Sequence, residues 1–230
     1  MHKLSIVIPV FNEKNNILKI LDKIERVNLG ETKKEIIIVD DFSTDGTREV
    51  LKNLESKYKI IYQSKNYGKG YALRIGFKQA TGDYIIVQDA DLEYDPEDYK
   101  KMIKAALENN AEAVYGSRRL NKNNKQHSGL SFYLGGVLVT FVTNLLYGTN
   151  LTDEPTCYKM FKKSLLDKIN LNCMRFEFCP EITAKVAKRG KKIIEVPISY
   201  YPRSSSEGKK IKWHDGMEAM LTLIKYKLRN

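Results

Sequence analysis

Apolar positions in the first half of the chain fall into short continuous runs, each followed by a polar cluster and then by apolar residues at helical spacing. Leu4 to Val10 is the first run; Pro9 and the polar Asn12-Glu13 close it, and Ile17, Leu18, Leu21 and Ile24 follow with the period of a helix. The same order returns in Glu35-Ile36-Ile37-Ile38-Val39, which meets Asp40 to Thr47 and then Val50, Leu51 and Leu54. Ile60-Ile61-Tyr62 predicts a shorter third strand, and Lys65 to Gly70 lead into a helix around Ala72 to Ala80. The fourth run, Tyr84-Ile85-Ile86-Val87, ends abruptly in Gln88-Asp89-Ala90-Asp91-Leu92-Glu93, after which Asp95-Pro96 opens a helix that reaches Asn109. Apolar runs of this kind suit buried strands, and their alternation with helices predicts an α/β chain with a mainly parallel sheet and right-handed crossovers.

The polar clusters bring chemistry to one edge of that sheet, where open α/β folds bind their ligands. Strand side chains alternate with period two, so an extended backbone continuing past Val87 points Asp89 and Asp91 the same way. Two like charges that close suit a divalent cation such as Mg²⁺ or Mn²⁺, shared with a substrate phosphate, although on spacing alone they equally suit a solvated acidic turn before the helix start at Asp95-Pro96. Asp40 and Asp41 suit ribose hydroxyls or a base N–H, although Ser43, Thr44 and Asp45 beside them equally suit turn and capping roles. Lys65 and Lys69, among glycines that admit a close backbone, suit phosphate; the Gly-x-Gly alone lacks a dinucleotide or P-loop fingerprint.

Charge sharpens this division. The chain of 230 residues carries +11, but residues 1–112 hold 18 Lys and Arg against 19 Asp and Glu, whereas residues 113–230 hold 21 against 9. Such segregation points to an anionic partner for the second half. Cys157, Cys173 and Cys179 form no C-x-x-C pair, so neither a zinc ribbon nor a disulfide framework is expected, and reduced cytosol is the simplest setting. Met1-His2-Lys3 leads directly into a strand without a signal-peptide pattern. Leu134 to Tyr147 is the most apolar stretch; it contains Gly135, Gly136 and Asn144 and falls short of the roughly 20 residues of a spanning helix, which predicts a buried or interfacial one. In the tail, Trp213, Met217, Met220, Leu221, Ile224 and Leu228 share a helical stripe ending among Lys225, Lys227 and Arg229, so residues 213–230 read as an amphipathic basic helix that docks as core or lies in a membrane interface.

Taken together, Ile8-Pro9-Val10-Phe11-Asn12-Glu13, Val39 to Thr47, Asn66-Tyr67-Gly68-Lys69-Gly70 and Asp89-Ala90-Asp91 resemble the ordered motifs of family 2 glycosyltransferases. Gly116-Ser117-Arg118, Thr152-Asp153 leading to Tyr158-Lys159, Glu177-x-x-x-Glu181, Glu195-Val196-Pro197-Ile198 and Arg203 with a downstream lysine are similar to its dolichol-phosphate mannose synthase branch. The resemblance covers roughly residues 4–212 and implies a GT-A fold, with residues 1–112 as the nucleotide-sugar half and 113–212 as the acceptor half. It implies that Pro9, Phe11, Glu13 and Asp41 line the nucleoside pocket with Lys69, Asp89 and Ala90 on the donor side, and that Asp89, Asp91 and Glu93 surround Mg²⁺ or Mn²⁺. The sequence departs from the family pattern at Glu93, where glutamine is common, and at Phe42 and Cys157, where glycine is usual.

What the resemblance implies is a metal-dependent, inverting transfer of a hexose from a GDP- or UDP-sugar to a polyprenyl phosphate, at the cytoplasmic face of a membrane whose anionic surface the basic half contacts. Asp91 then acts at the leaving group, Arg203 or Lys209 closes over the phosphates, and Arg118 with Lys209 meets the acceptor phosphate. With a hydroxyl acceptor Asp153 is the candidate base, whereas with an already anionic acceptor it positions. A glycan acceptor is the first alternative; a nucleotidyltransferase with a similar acidic site would release pyrophosphate instead. A nucleic-acid binder would account for the charge but gives the strand-end carboxylates no purpose, so no nucleic acid is expected.

Overall fold

A computed structural model of the chain describes residues 2–124, 129–203 and 213–229. β1 (Lys3–Val10), α1 (Ile17–Arg26), β2 (Lys33–Asp40), α2 (Thr47–Lys52), β3 (Lys59–Tyr62), α3 (Lys69–Gln79) and β4 (Tyr84–Val87) follow the order read from the apolar runs. A single turn of tighter helix at Pro96–Asp98 precedes α4 (Tyr99–Glu108), and then come β5 (Ala113–Ser117), α5 (Leu130–Tyr147), β6 (Lys159–Lys162), α6 (Lys163–Leu166), α7 (Phe178–Lys188), β7 (Ile193–Pro197) and α8 (Trp213–Leu228). The seven strands run β3-β2-β1-β4-β6-β5-β7. Every pairing is parallel except those of β6, which lies antiparallel between β4 and β5. This is the expected mainly parallel α/β sheet, flanked by helices and followed by a C-terminal helix.

Period-two alternation builds two hydrophobic layers from the same strands. Ile6 and Ile8 of β1 pack on one face with Ile20 and Ile24 of α1 and Tyr99 and Met102 of α4, whereas Val7 faces Leu73 and Phe77 of α3 and Ile182 of α7. On α1 the buried stripe is Ile17, Ile20, Leu21 and Ile24; Leu18 turns outward, because the helix starts at Ile17 and rotates it about 100° away from the sheet.

Strand order reverses beside β1: the chain travels outward through β2 and β3, then returns to place β4 on the other side of β1. The strand ends on either side of this switch open a crevice. The expected extension of β4 through Asp91 does not occur, since β4 ends at Val87 and a turn at Ala90–Asp91 follows, with Leu92 at φ 65°. The two aspartates therefore reach the crevice from a turn, not from one face of a strand.

Candidate active site

Three loops at the carboxyl ends of β1, β2 and β3 are fastened to one another before any ligand is considered. Asn12 N and Glu13 N donate to Ser43 Oγ (2.9 Å) and Thr47 Oγ1 (3.0 Å), and Thr44 N donates back to Asn12 Oδ1 (2.8 Å). Asp41 accepts from Tyr67 N (2.8 Å) and Gly68 N (2.7 Å), tying the β2 end to the start of α3. Burial pushes the Asp41 carboxyl up, and these two amides oppose that rise. Asp40 is different from Asp41: it is fully buried, receives Arg48 Nε at 2.6 Å, and holds the loop instead of meeting a nucleoside.

The glycines before α3 also serve a purpose other than the expected approach to phosphate. Gly68 sits at φ +97°, and a Cβ there would lie 2.4 Å from the Met174 carbonyl oxygen; a Cβ on Gly70 would lie 2.8 Å from that of Arg175. They admit the 172–176 loop, which Glu177 pins through Met174 N and Arg175 N and Glu181 pins through Asn172 N and Cys173 N. The Glu177-x-x-x-Glu181 spacing is thus a loop clamp.

Pro9, Phe11, Glu13, Asp41, Lys69, Asp89, Ala90, Asp91 and Glu93 all line one cavity of about 720 Å³, which Arg118, Asp153 and Arg203 also line. Of the site residues expected from the sequence, Asp40 and Lys65 do not line it, and Lys209 lies outside the described residues. Inside it the carboxylates are not left facing each other. Lys69 Nζ pairs with Asp89 Oδ1 at 2.5 Å, and Arg203 reaches Asp91 Oδ2 at 2.9 Å and Glu13 Oε1 at 3.3 Å. Burial opposes the charge on Lys69, but Asp89 more than compensates and holds its ammonium well above the usual range. Burial also pushes the Asp91 carboxyl up to about 7, with Asp89 and Glu93 adding to it and Arg203 and Lys69 opposing.

Glu93, expected as the third carboxylate of the metal set, accepts from the Arg203 backbone N at 2.9 Å. Among the described residues, no group of three or more His, Cys, Asp and Glu side chains is gathered to hold a metal ion. The remaining donor chemistry still fits Mg²⁺ or Mn²⁺. Such ions take one or two carboxylates and fill their shells with water and substrate phosphate, so Asp89 and Asp91 suffice. Four carboxylates (Glu13, Asp89, Asp91 and Glu93) also face two cations, Lys69 and Arg203, leaving an excess of negative charge that suits a divalent ion.

Arg118 and Asp153 form a bidentate pair with both contacts at 2.7 Å, and Arg118 N adds a third bond to Asp153 at 2.9 Å. Asp153 is fully buried. Burial alone would raise its carboxyl, but the Arg118 charge and hydrogen bonds hold it below the usual carboxylate range. Glu195, in the Glu195-Val196-Pro197-Ile198 motif, positions this loop by accepting from Thr152 N and Asp153 N. The face of the Arg118 guanidinium lies 5.1 Å from the centre of the Tyr200 ring.

Several contributors escaped the sequence reading. Tyr94 stacks on Tyr158 at 5.1 Å and pairs in a bridge with Tyr200, closing the cavity beneath Arg118. Glu154 and Lys159 are a wholly buried pair behind it, 3.9 Å apart. Lys159 belongs to the Tyr158-Lys159 motif, whereas Tyr94 and Glu154 carry no signal in the sequence.

Residues 5–170 match the model of the "Glycosyl transferase family 2" family. The chain belongs to this family. It is 31% identical over 214 residues to a dolichol-phosphate mannosyltransferase of Pyrococcus furiosus, an alignment covering 90% of this chain and 59% of that one. It is 29% identical to an undecaprenyl-phosphate 4-deoxy-4-formamido-L-arabinose transferase of Proteus mirabilis, over 91% of this chain and 63% of the relative. A UDP-N-acetylglucosamine–dolichyl-phosphate N-acetylglucosaminyltransferase of Methanococcus voltae is 30% identical, over 84% and 83%. The chain therefore spans about three fifths of the length of the Pyrococcus and Proteus proteins. Among solved structures, glucosyl-3-phosphoglycerate synthase from Mycobacterium tuberculosis, in complex with Mn²⁺, UDP and phosphoglyceric acid, superposes with a TM-score of 0.74 at 18% identity, covering 99% of this chain and 79% of that one. That likeness establishes the GT-A fold.

Proposed function

We propose that this chain transfers a hexose, with inversion, from a GDP- or UDP-sugar to a polyprenyl phosphate at a membrane surface. Residues 1–112 hold the donor and residues 113–212 the acceptor. The observation that carries this reading is the Arg118–Asp153 pair. A hydroxyl acceptor must lose its proton, and a buried carboxylate locked to an arginine and held below its usual pKa is a poor base. A phosphate monoester needs no base, and it needs a fixed guanidinium of this kind. The Pyrococcus, Proteus and Methanococcus relatives are all named for transfer to a polyprenyl phosphate, which supports the same acceptor class.

At the donor end, Asp89 and Asp91 would hold Mg²⁺ or Mn²⁺, which neutralises the departing diphosphate when bound. Arg203 lies within reach of the same site and stabilises the same charge, Lys69 keeps Asp89 oriented, and Asp41 addresses the nucleoside.

No helix among the described residues is long and apolar enough to cross a membrane. α5 and α8 nevertheless turn apolar stripes outward. Leu134, Val137, Leu138, Phe141 and Leu145 are exposed on α5, as are Met217, Leu221, Ile224 and Leu228 on α8, with Lys225 and Lys227 beside them. Tyr147 Oη donates to the Leu223 carbonyl at 2.6 Å and joins the two helices. Gly135, Gly136 and Ala219 from these same helices line the cavity, so an isoprenoid chain lying on the stripes reaches Arg118. This supports peripheral attachment.

The test is sugar transfer from a panel of GDP- and UDP-sugars to a short polyprenyl phosphate with Mg²⁺ or Mn²⁺, alongside Asp91→Ala. Metal-dependent glycolipid lost in the variant is the expected result. Donor turnover without glycolipid would move the acceptor to a hydroxyl compound.

A further inference from the structure

Sugar transfer to a phosphate requires no thiol, yet two of the three cysteines face the donor end of the cavity. Cys173 is buried away from it. Cys157 precedes β6 and Cys179 lies in the first turn of α7, so separate elements bring them together. The Cys179 thiol donates to the Thr156 carbonyl at 3.5 Å, which sets its sulfur alongside the Cys157 backbone. The Cys157 and Cys179 side chains both line that cavity. Cys157 is part-exposed and has a further neighbour: Lys69 Nζ lies 3.1 Å from its sulfur and 2.5 Å from Asp89. One ammonium thus links the thiol pair to a carboxylate of the candidate metal site.

We propose that Cys157 and Cys179 form an oxidisable dithiol in the donor cavity, and that closing it into a disulfide weakens nucleotide-sugar binding by withdrawing the sulfur that steadies Lys69. The co-reactant is a hydroperoxide. One thiol of the pair, as thiolate, attacks the peroxide oxygen; the O–O bond breaks, a sulfenic acid forms, and the departing hydroxide takes a proton to become water. The second thiol attacks that sulfur, the S–S bond forms, and a second water leaves with the remaining hydroxyl and proton. Two electrons pass from the sulfurs to the peroxide. A disulfide holds its sulfurs about 2.05 Å apart, so closing it takes the Cys157 sulfur from its place beside Lys69.

The functional half of this proposal rests on the cavity being the donor site, so the experiment reads the linkage and the binding separately. The reduced full chain is treated with hydrogen peroxide, digested without reduction and mapped by mass spectrometry. Binding of UDP-glucose and GDP-mannose with Mn²⁺ is measured by calorimetry before treatment, after it, and after dithiothreitol. The expected result is a joined peptide pair carrying Cys157 and Cys179. Affinity for whichever donor binds should fall about tenfold, the loss for one weakened charged contact, and return on reduction. Cys179→Ala and Cys157→Ser, each compared with its own untreated protein, should show no reversible loss. Absence of the joined pair, a joined pair with unchanged affinity, or an equal reversible loss in Cys179→Ala each overturns the proposal. An untreated chain that binds neither donor refutes the donor reading instead and takes the functional half with it, while the peptide map still decides the linkage.

Discussion

Asp153→Asn separates a positioning carboxylate from a catalytic base, and the structure sets the size of the effect. The substitution removes the charge opposite Arg118 and turns one oxygen of the bidentate contact into an amide that cannot accept from the guanidinium. Asp153 is fully buried and the Arg118 side chain is 24% exposed. Removing one partner of a buried pair costs about 3–5 kcal/mol, and the residual access of Arg118 to water puts the cost near the lower end. For a chain of this length, about 3 kcal/mol lowers Tm by roughly 6–12 °C. Kinetics on a short polyprenyl phosphate should then show KM raised about tenfold or more, with kcat changed only a few-fold and the pH–rate profile unmoved, because the lost function is orientation of Arg118. Linkage gives an independent sign. The Asp153 pKa is lower folded than unfolded, so its contribution to stability is present above the unfolded value near 4 and is lost as pH falls through the folded one; the variant should lack that part of the acid limb. A kcat loss of about 100-fold or more, with KM and Tm unchanged and the basic limb of the profile removed, would refute the positioning argument and make Asp153 a base.

Three further outcomes follow from the same coordinates. Asp91 titrates at about 7 when folded, so an ion bound there displaces a proton at low pH; the thermal shift given by Mn²⁺ should grow from pH 6 to pH 8 and vanish in Asp91→Asn, and a pH-independent shift would remove Asp91 from the ion's surroundings. Glu35 is held down at about 2 by Lys3, Ser5 and Thr81, against a burial effect that raises it, so its stabilisation is present above about pH 4.5 and lost between there and about 2. Glu35→Gln should flatten the acid limb of chemical denaturation by about 1–2 kcal/mol, a value reduced for solvent screening. Phe141→Glu with Leu221→Glu should leave Tm within about 2 °C, because both positions are exposed, yet reduce flotation with anionic vesicles at least tenfold; equal flotation would detach the stripes from membrane binding.

The α/β architecture was legible because buried parallel strands write themselves as runs such as Ile36-Ile37-Ile38-Val39, and the cavity lining because its residues sit in ordered motifs at the ends of those runs. What was not legible depended on pairings far apart in sequence. No local pattern says that β6 inserts antiparallel between β4 and β5, or that the Asp41 loop, rather than phosphate, meets Tyr67 N and Gly68 N. The period-two argument for Asp89 and Asp91 failed because a turn replaced the strand. The tail stripe read correctly as helical, but helical spacing cannot say whether its apolar side faces the core; in the structure Leu223 and Thr222 take the buried side and Leu221, Ile224 and Leu228 the exposed one.

The residues fastened most tightly explain why the motifs are spaced along nearly the whole chain. Glu13, Asp91 and Glu93 converge on Arg203, which joins the ends of β1 and β4 to the segment after β7. Glu195 of β7 holds the Asp153 loop, and Asp153 holds Arg118 at the end of β5. A residue contributed after β7 thus reaches Glu13 and Asp91, while another within β7 orients Arg118 through Asp153. Displacing β7 would therefore disturb both ends of the cavity together. This coupling is what a transferase needs if donor and acceptor phosphates, both anionic, are to be held in one cavity at a fixed separation.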